Sequence, residues 1–208
     1  GWNSVTVPGA VAAWAALHER FGSLPFDALL APAIDIAARG FAVPAIVAGK
    51  WAAAVPLLHD QPGFAQAFMP GGRAPRMGEL WRFPDAARGL ERIAATRGEA
   101  FYRGDVAAAI VAHAKAHGGA MTEDDLASFR PQWVEPIGRA VGAASGHVLH
   151  ELPPNGQGLT ALIALGILEH FDLAALDPDG VDAIHLQIEA IKLAFADVYA
   201  HVAEPSAM

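Results

Sequence analysis

A mainly α fold with one short β-hairpin near residues 137–152 is what this sequence predicts. Apolar residues recur every three to four positions through 11–18, 26–37 and 184–198, the period of helices that bury one face. Within Glu151 to Leu173 a helix opens that is apolar on nearly every side, and such a helix must be buried. Only Ile137 to Leu152, with Val141, Val148 and Leu149 among glycines and serine, reads as strands.

In chain order, Ser4 to Phe21 predicts a short extended piece, a Pro8-Gly9 turn and an alanine-rich core helix with Val11, Trp14 and Leu17-His18 at helical spacing, ended by Gly22. Leu24-Pro25-Phe26-Asp27 opens the next helix, with Phe26, Leu30, Ile34 and Ala37 on one face and Gly40 closing it. Pro32 lacks a backbone donor, so a kink or a split is expected there. Pro44 to Leu58 is a further helix containing Trp51, and Gln61 to Arg82, rich in Gly and Pro, is expected to be the loosest and most exposed loop. A helix starts at Phe83-Pro84-Asp85 and runs through Ile93. Asp105 is expected to cap Val106 to His117, which Gly118-Gly119 ends. Thr122 to Asp125 has the form of a capping box with aspartate in the usual Glu or Gln place, and Leu126 and Phe129 face inward. The two strands of 137–152 need partners, because a lone hairpin is marginal in water. The last helix, Val181 to Ala200, carries Ile184, Ile188, Ile191, Phe195 and Val198 as its apolar stripe, with Glu189 and Lys192 as a solvated pair.

Composition narrows the function. Hydrophobic residues make up 53% and charged ones 17%, against roughly 25% charged in ordinary soluble domains, so part of the apolar surface is expected to meet another polypeptide segment. A net charge of -8 with 14 scattered basic residues argues against nucleic acid. The absence of cysteine excludes disulfides, thiolate metal sites and cysteine nucleophiles. No charged-then-apolar leader is visible at Gly1 and no apolar run has bilayer length, so no membrane partner is expected, and either a leader lies upstream or none is needed. The compartment stays open.

Several short patterns carry candidate chemistry. Gly156 to Ala161 fits G-x-G-x-x-A, with Asp177 and Asp179 about 20 residues on, but Pro153-Pro154 spoils the strand exit and no parallel strand follows, so a tight loop is the preferred reading. His113 and His117 have the i, i+4 spacing of metal pairs. No third ligand is spaced to join them, and capping or core-edge packing is preferred. His147 and His150 point to opposite faces of a strand. The only threonines are Thr6, Thr96, Thr122 and Thr160, Ser145 has no recognisable base, and none of these five is read as a nucleophile. No catalytic, cofactor-binding or metal residue is therefore assigned within the chain.

Five stretches resemble, in order, motifs of the gamma-glutamyltranspeptidase family. They are Val5-Thr6-Val7-Pro8-Gly9-Ala10-Val11-Ala12; Leu24-Pro25 with Leu30, Pro32-Ala33 and Ala37 through Gly40-Phe41; Phe101-Tyr102-Arg103-Gly104; Gly118-Gly119 through Thr122-Glu123-Asp124-Asp125-Leu126; and Pro153-Pro154, Gly156 and Gly158 with Ile167 through Asp172. The sequence departs from the family at Asn155-Gly156-Gln157-Gly158, where Ser-Ser-Gly-Gly is usual. It departs again at Phe195-Ala196-Asp197-Val198, where Tyr-Ala-Asp-Arg is usual, and at Ala203-Glu204-Pro205, where Gly-Asp-Pro is usual.

The resemblance implies a fragment of an α+β, αββα Ntn-hydrolase, in which this chain is a single helical region of the large subunit over 1–208. In that family the precursor cuts itself to expose an amino-terminal threonine on the small subunit, whose own amine serves as base for attack on a gamma-glutamyl amide. That threonine lies after the matched region and the substrate-gripping arginine before it. Implied partners are the remainder of the large subunit, the threonine-bearing small subunit and a small gamma-glutamyl substrate, with no cofactor. An isolated fragment is expected to self-associate through 137–152. The alternatives are a non-enzymatic helical interaction module and, less favoured, a helical nucleotide-binding domain.

Overall fold

The computed structural model describes residues 2–142, 146–204 and 207–208, so the expectations for Ser145 and Pro205 lie outside the described residues. The chain divides into two compact units, Gly1–Pro131 and Gln132–Met208.

The first unit contains α1 (Ala10–Phe21), α2 (Phe26–Arg39), β1 (Phe41–Ala42), α3 (Ala45–Leu58), α4 (Phe64–Phe68), β2 (Leu80–Trp81), α5 (Pro84–Thr96), α6 (Glu99–Arg103), α7 (Asp105–Ala116) and α8 (Glu123–Ser128). Its core joins Val11, Phe26, Ile93 and Tyr102, with Leu30, Leu90, Phe101 and Phe129 packed around them. A second cluster holds Ala107, Val111 and Leu126, and Val7 touches both. Phe26 is buried and Leu30, Ile34 and Ala37 half-buried, so α2 presents the face that its spacing predicts, and it packs on α5.

Tyr102 fastens this core to the start of α1. Its hydroxyl donates to the Pro8 carbonyl at 2.7 Å and accepts from the Ala12 N–H at 3.0 Å. The first N–H groups of a helix have no partner within it, and α1 has no side-chain cap, so Tyr102 supplies the missing acceptor from 90 residues away. The ring is 5% exposed and stacks on Phe129, with centroids 5.8 Å apart. Burial pushes the phenol above its ordinary pKa, partly opposed by the Ala12 hydrogen bond.

Several local expectations are corrected. Pro32 does not split α2: the helix runs unbroken from Phe26 to Arg39. Ala28, whose carbonyl loses its donor, is exposed, so water can replace the missing bond. Gln61 to Arg82 is not a featureless loop, because it carries α4 and β2. Its aromatic residues organise it: Phe68, Trp81 and Phe83 lie ring against ring with Trp51 of α3, whose indole N–H donates to the Phe68 carbonyl at 2.8 Å. Asp105 is the first residue of α7 and Gly104 its cap, so the helix is displaced by one residue and ends at Ala116. The helix from Pro84 continues past Ile93 to Thr96. On α1 only Val11 is buried; Trp14 and Leu17 face outward.

The strand pair β1–β2 joins Phe41 to Trp81 and Ala42 to Leu80. Gly40 makes the turn into it with φ 88° and ψ 171°, a region open in practice only to glycine, and a Cβ there would lie 2.5 Å from the Trp81 carbonyl oxygen. Below the pair, Arg73 forks onto Glu79 at 3.0 and 2.8 Å, and the Arg76 N–H reaches the same carboxylate at 2.8 Å. These bonds, the Arg73 fork foremost, hold Glu79 down to about 2.

The second unit holds β3 (Ile137–Val141), β4 (His147–Glu151), α9 (Gly158–Leu168) and α10 (Val181–His201). The hairpin falls where the sequence places it, in register Ile137↔Glu151 through Val141↔His147, and among the described residues no third strand pairs with it. No residue of α9 is fully exposed, as its all-round apolarity requires. On α10 the expected stripe is buried at Val198 and half-buried at Phe195, but not at its three isoleucines. Ala183, Ala190, Ala194 and Val198 are buried, whereas Ile184, Ile188 and Ile191 face outward, Ile188 with 53% exposure. Ala164 of α9 meets Ala190 and Ala194, and a methyl seam of this kind lets two helices approach closely. Glu189 and Lys192 form the expected pair at 2.7 Å.

Four outcomes test this account. Tyr102→Phe should lower stability by about 1–3 kcal/mol in denaturant unfolding, because two partly buried backbone groups lose their partner. Gly40→Ala should cost at least about 2 kcal/mol, while Gly49→Ala in mid-α3, where a Cβ meets nothing within 4 Å, should raise the melting temperature by the equivalent of roughly 0.5–1 kcal/mol. Glu79 has its folded pKa below its ordinary 4.5, so its stabilising effect is complete above that value and is lost as pH falls towards about 2. Melting temperature against pH should therefore fall less steeply across that window in Glu79→Gln than in the parent.

Candidate functional site

The stretch with the most chemical character is the loop Pro153–Gln157 between β4 and α9. Pro153 and Pro154 end the strand, because neither can donate to a ladder. Asn155, Gly156 and Gln157 are exposed, and Gln157 caps α9 without a side-chain hydrogen bond. Thr160, in the first turn, is 4% exposed, and its hydroxyl has no partner among the described residues.

Two charged side chains on the hairpin hold α9. The Glu151 carboxylate lies against Gly158, where a Cβ would come within 2.6 Å of Oε2. A negative group at this end suits the positive end of the helix dipole. Arg139 crosses the helix at Gly166, where a Cβ would sit 2.7 Å from Cζ, and its Nη2 donates to Glu169 Oε2 at 2.6 Å. That hydrogen bond, with the charge of Arg139 behind it, draws the Glu169 carboxyl below its ordinary range. Sequence reasoning did not single out Arg139, Glu151 or Glu169. The signal available for them was the pair of glycines, Gly158 and Gly166, in an otherwise bulky apolar helix, since glycine there costs helix stability unless something approaches closely.

The sequence-derived candidates are not brought together. Gly156 to Ala161 does follow a strand and open a helix, but that strand belongs to an antiparallel hairpin, and the next long element is α10. The Glu151 carboxylate stands beside the first residue of the helix, where a pyrophosphate would have to bind. Asp177 and Asp179 serve the turn before α10: Asp177 Oδ1 accepts from the Asp179 N–H at 3.1 Å. His113 and His117 sit ring to ring at 4.4 Å, with Trp2 against both at 5.2 and 5.6 Å. His117 is the residue that closes α7, and His113 lines an apolar cleft of about 350 Å³ with Trp2, Ile110 and Met121. Among the described residues no group of three or more His, Asp or Glu is placed to hold a metal. The hairpin register puts His147 and His150 on opposite faces.

The threonines have structural surroundings. Thr122 accepts from the Asp125 N–H at 3.2 Å, and the Thr122 N–H donates to Asp125 Oδ2 at 2.8 Å, which completes the capping box. Thr96 Oγ1 donates to the Arg92 carbonyl at 2.7 Å and accepts from the Ala100 N–H at 3.0 Å, bridging α5 to α6. Thr6 is exposed. The described residues thus show shape and anchoring at this loop, with no threonine set against a base.

Comparison with known proteins gives these features a context. The gamma-glutamyltranspeptidase family model matches residues 1–208. The chain is 34% identical over 204 residues to the glutathione hydrolase-like YwrD proenzyme of Bacillus subtilis (strain 168), a match covering 98% of this chain and 38% of the relative. It superposes on the crystal structure of cephalosporin acylase from Bacillus halodurans with a TM-score of 0.91 and 47% identity, over 100% of this chain and 39% of that one. On Helicobacter pylori gamma-glutamyltranspeptidase the TM-score is 0.89 at 28% identity, over 99% of this chain and 59% of that one. The chain therefore spans under two-fifths of the first two proteins, and what it shares with them is a mainly α part of the Ntn-hydrolase fold of this family. From its first residue to its last, the chain belongs to the gamma-glutamyltranspeptidase family.

Proposed function

We infer that this chain is a helical region of the large subunit of a gamma-glutamyltransferase-like enzyme, one that hydrolyses or transfers gamma-glutamyl or related acyl amides. The nucleophile in this reading is an amino-terminal threonine on a separate small subunit, made by autoprocessing, with its own amine as base. Both units then belong to one region of the large subunit and serve as scaffold and pocket wall. The observation that carries the reading is a family match over the whole chain, combined with four threonines of which none faces a base among the described residues. Relatives named as proenzymes support processing into subunits. The apolar surfaces left outward on α1, α3 and α10 suit a chain that continues against other polypeptide.

Within the family, the 47% identity to a cephalosporin acylase favours hydrolysis of an acyl amide over transfer to a peptide acceptor. The test is expression of the complete gene followed by intact-mass measurement and amino-terminal sequencing. Two polypeptides are expected, the smaller beginning at threonine. Replacing that threonine by alanine should leave the precursor whole and lower hydrolysis of gamma-glutamyl and cephalosporin-type amides by about a thousandfold or more. Full activity from an uncut precursor, or robust hydrolysis by the 208-residue chain alone, would overturn it.

A further inference from the structure

We propose that Asn155 is a site of spontaneous covalent modification, at which deamidation through a succinimide turns a neutral loop residue into aspartate or isoaspartate. In the reaction the Gly156 backbone nitrogen, after losing its proton to solvent base, attacks Asn155 Cγ. A C–N bond forms, the Cγ–Nδ2 bond breaks and ammonia leaves. Water then opens the ring. Cleavage between Cγ and the Gly156 nitrogen gives aspartate; cleavage between the Asn155 backbone carbonyl carbon and that nitrogen leaves the chain running through the side chain, as isoaspartate. The sequence supplies the two reacting groups as neighbours, and glycine adds no side chain to obstruct the attack.

The structure adds what the dipeptide alone cannot. Asn155 and Gly156 are both exposed, and a Cβ built on Gly156 would meet nothing within 4 Å. Among the described residues the Asn155 amide makes no hydrogen bond, and the Gly156 N–H, which ends the turn over 154–155, makes none of good geometry. The flanking elements are fixed, the hairpin register on one side and the buried α9 on the other, so the freedom is confined to a few residues.

Asp179-Gly180 is the other dipeptide in the chain that could form a succinimide at glycine, and its surroundings are the opposite. The Gly180 N–H donates to the Asp177 carbonyl at 2.9 Å, and a Cβ on Gly180 would lie 3.0 Å from that oxygen. The Asp179 N–H is bound to Asp177 Oδ1. The attacking nitrogen is thus committed and the turn is crowded, which singles out Asn155.

The product matters because of where it lies. A carboxylate at residue 155 would join that of Glu151 at the head of α9, and the isoaspartyl form would add a methylene to the main chain just ahead of the helix. The only other asparagine is Asn3, which makes the chemistry simple to follow.

The complete protein expressed from the full gene, purified folded, incubated at mildly alkaline pH and digested, should show a gain of about 1 Da in the peptide containing Asn155, an amide nitrogen exchanged for oxygen. The same peptide should accept methyl groups from protein isoaspartyl methyltransferase. Gly156→Ala should slow the gain by roughly tenfold or more, since a side chain obstructs the attack. Asn155 surviving in the folded protein while the same protein in denaturant converts would overturn the proposal. Isoaspartate forming at Asp179 as fast as at Asn155 would overturn it as well.

Discussion

The first unit depends on one hydroxyl. Tyr102 lies on α6, a helix of five residues that could not persist alone, yet it joins the entrance of α1 to α5 and to the segment after α8. A phenylalanine would fill the same space, but only the hydroxyl can both donate to Pro8 and accept from Ala12. The small residues nearby serve the same arrangement. Gly9 leaves room for the Phe129 ring, whose nearest atom would stand 2.9 Å from a Cβ, and Gly98 turns with φ 89° against Val11. Two of the five stretches that resemble family motifs, the one holding Pro8 and Ala12 and the one holding Tyr102, thus meet around one side chain and serve packing there.

The second unit is assembled differently. Its seam centres on alanine methyls with Ile163, Ile167 and Leu168 packed beside them, while the isoleucines of α10 are turned outward. Small buried side chains contribute little transfer free energy each, on the order of 1 kcal/mol or less per methyl, so close helix approach matters more here than bulk. Outward isoleucines on α10 and an outward Val148 on β4 fit a body whose remaining surface is meant to be covered.

What could be read from the sequence, and what could not, divides along physical lines. The inward face of α2, the Thr122–Asp125 box and the hairpin at 137–152 were legible because each is set by neighbours within a few residues. The buried face of α10 was not. Ile184, Ile188 and Ile191 make a clear stripe, while alanines carry almost no signal, and which stripe is covered depends on what stands opposite. The two-residue strands β1 and β2 are too short to leave a pattern, and the aromatic packing that orders 61–83 comes from residues far apart in the chain. At the loop before α9, the turn was evident from Pro153-Pro154-Asn155-Gly156. The roles of Arg139 and Glu151 needed the hairpin laid on the helix.

That pairing answers a question α9 raises about itself. A helix that is oily on every side gains little rotational preference from buried area alone, and apart from its seam at Ala164 it could slide or spin in its slot. Arg139 at Gly166 and Glu151 at Gly158 remove that freedom, because each charged group fits only where the helix surface is notched. The two glycines act as a key and the hairpin charges as its wards. Phase and axial position are fixed by the least hydrophobic contacts the helix makes.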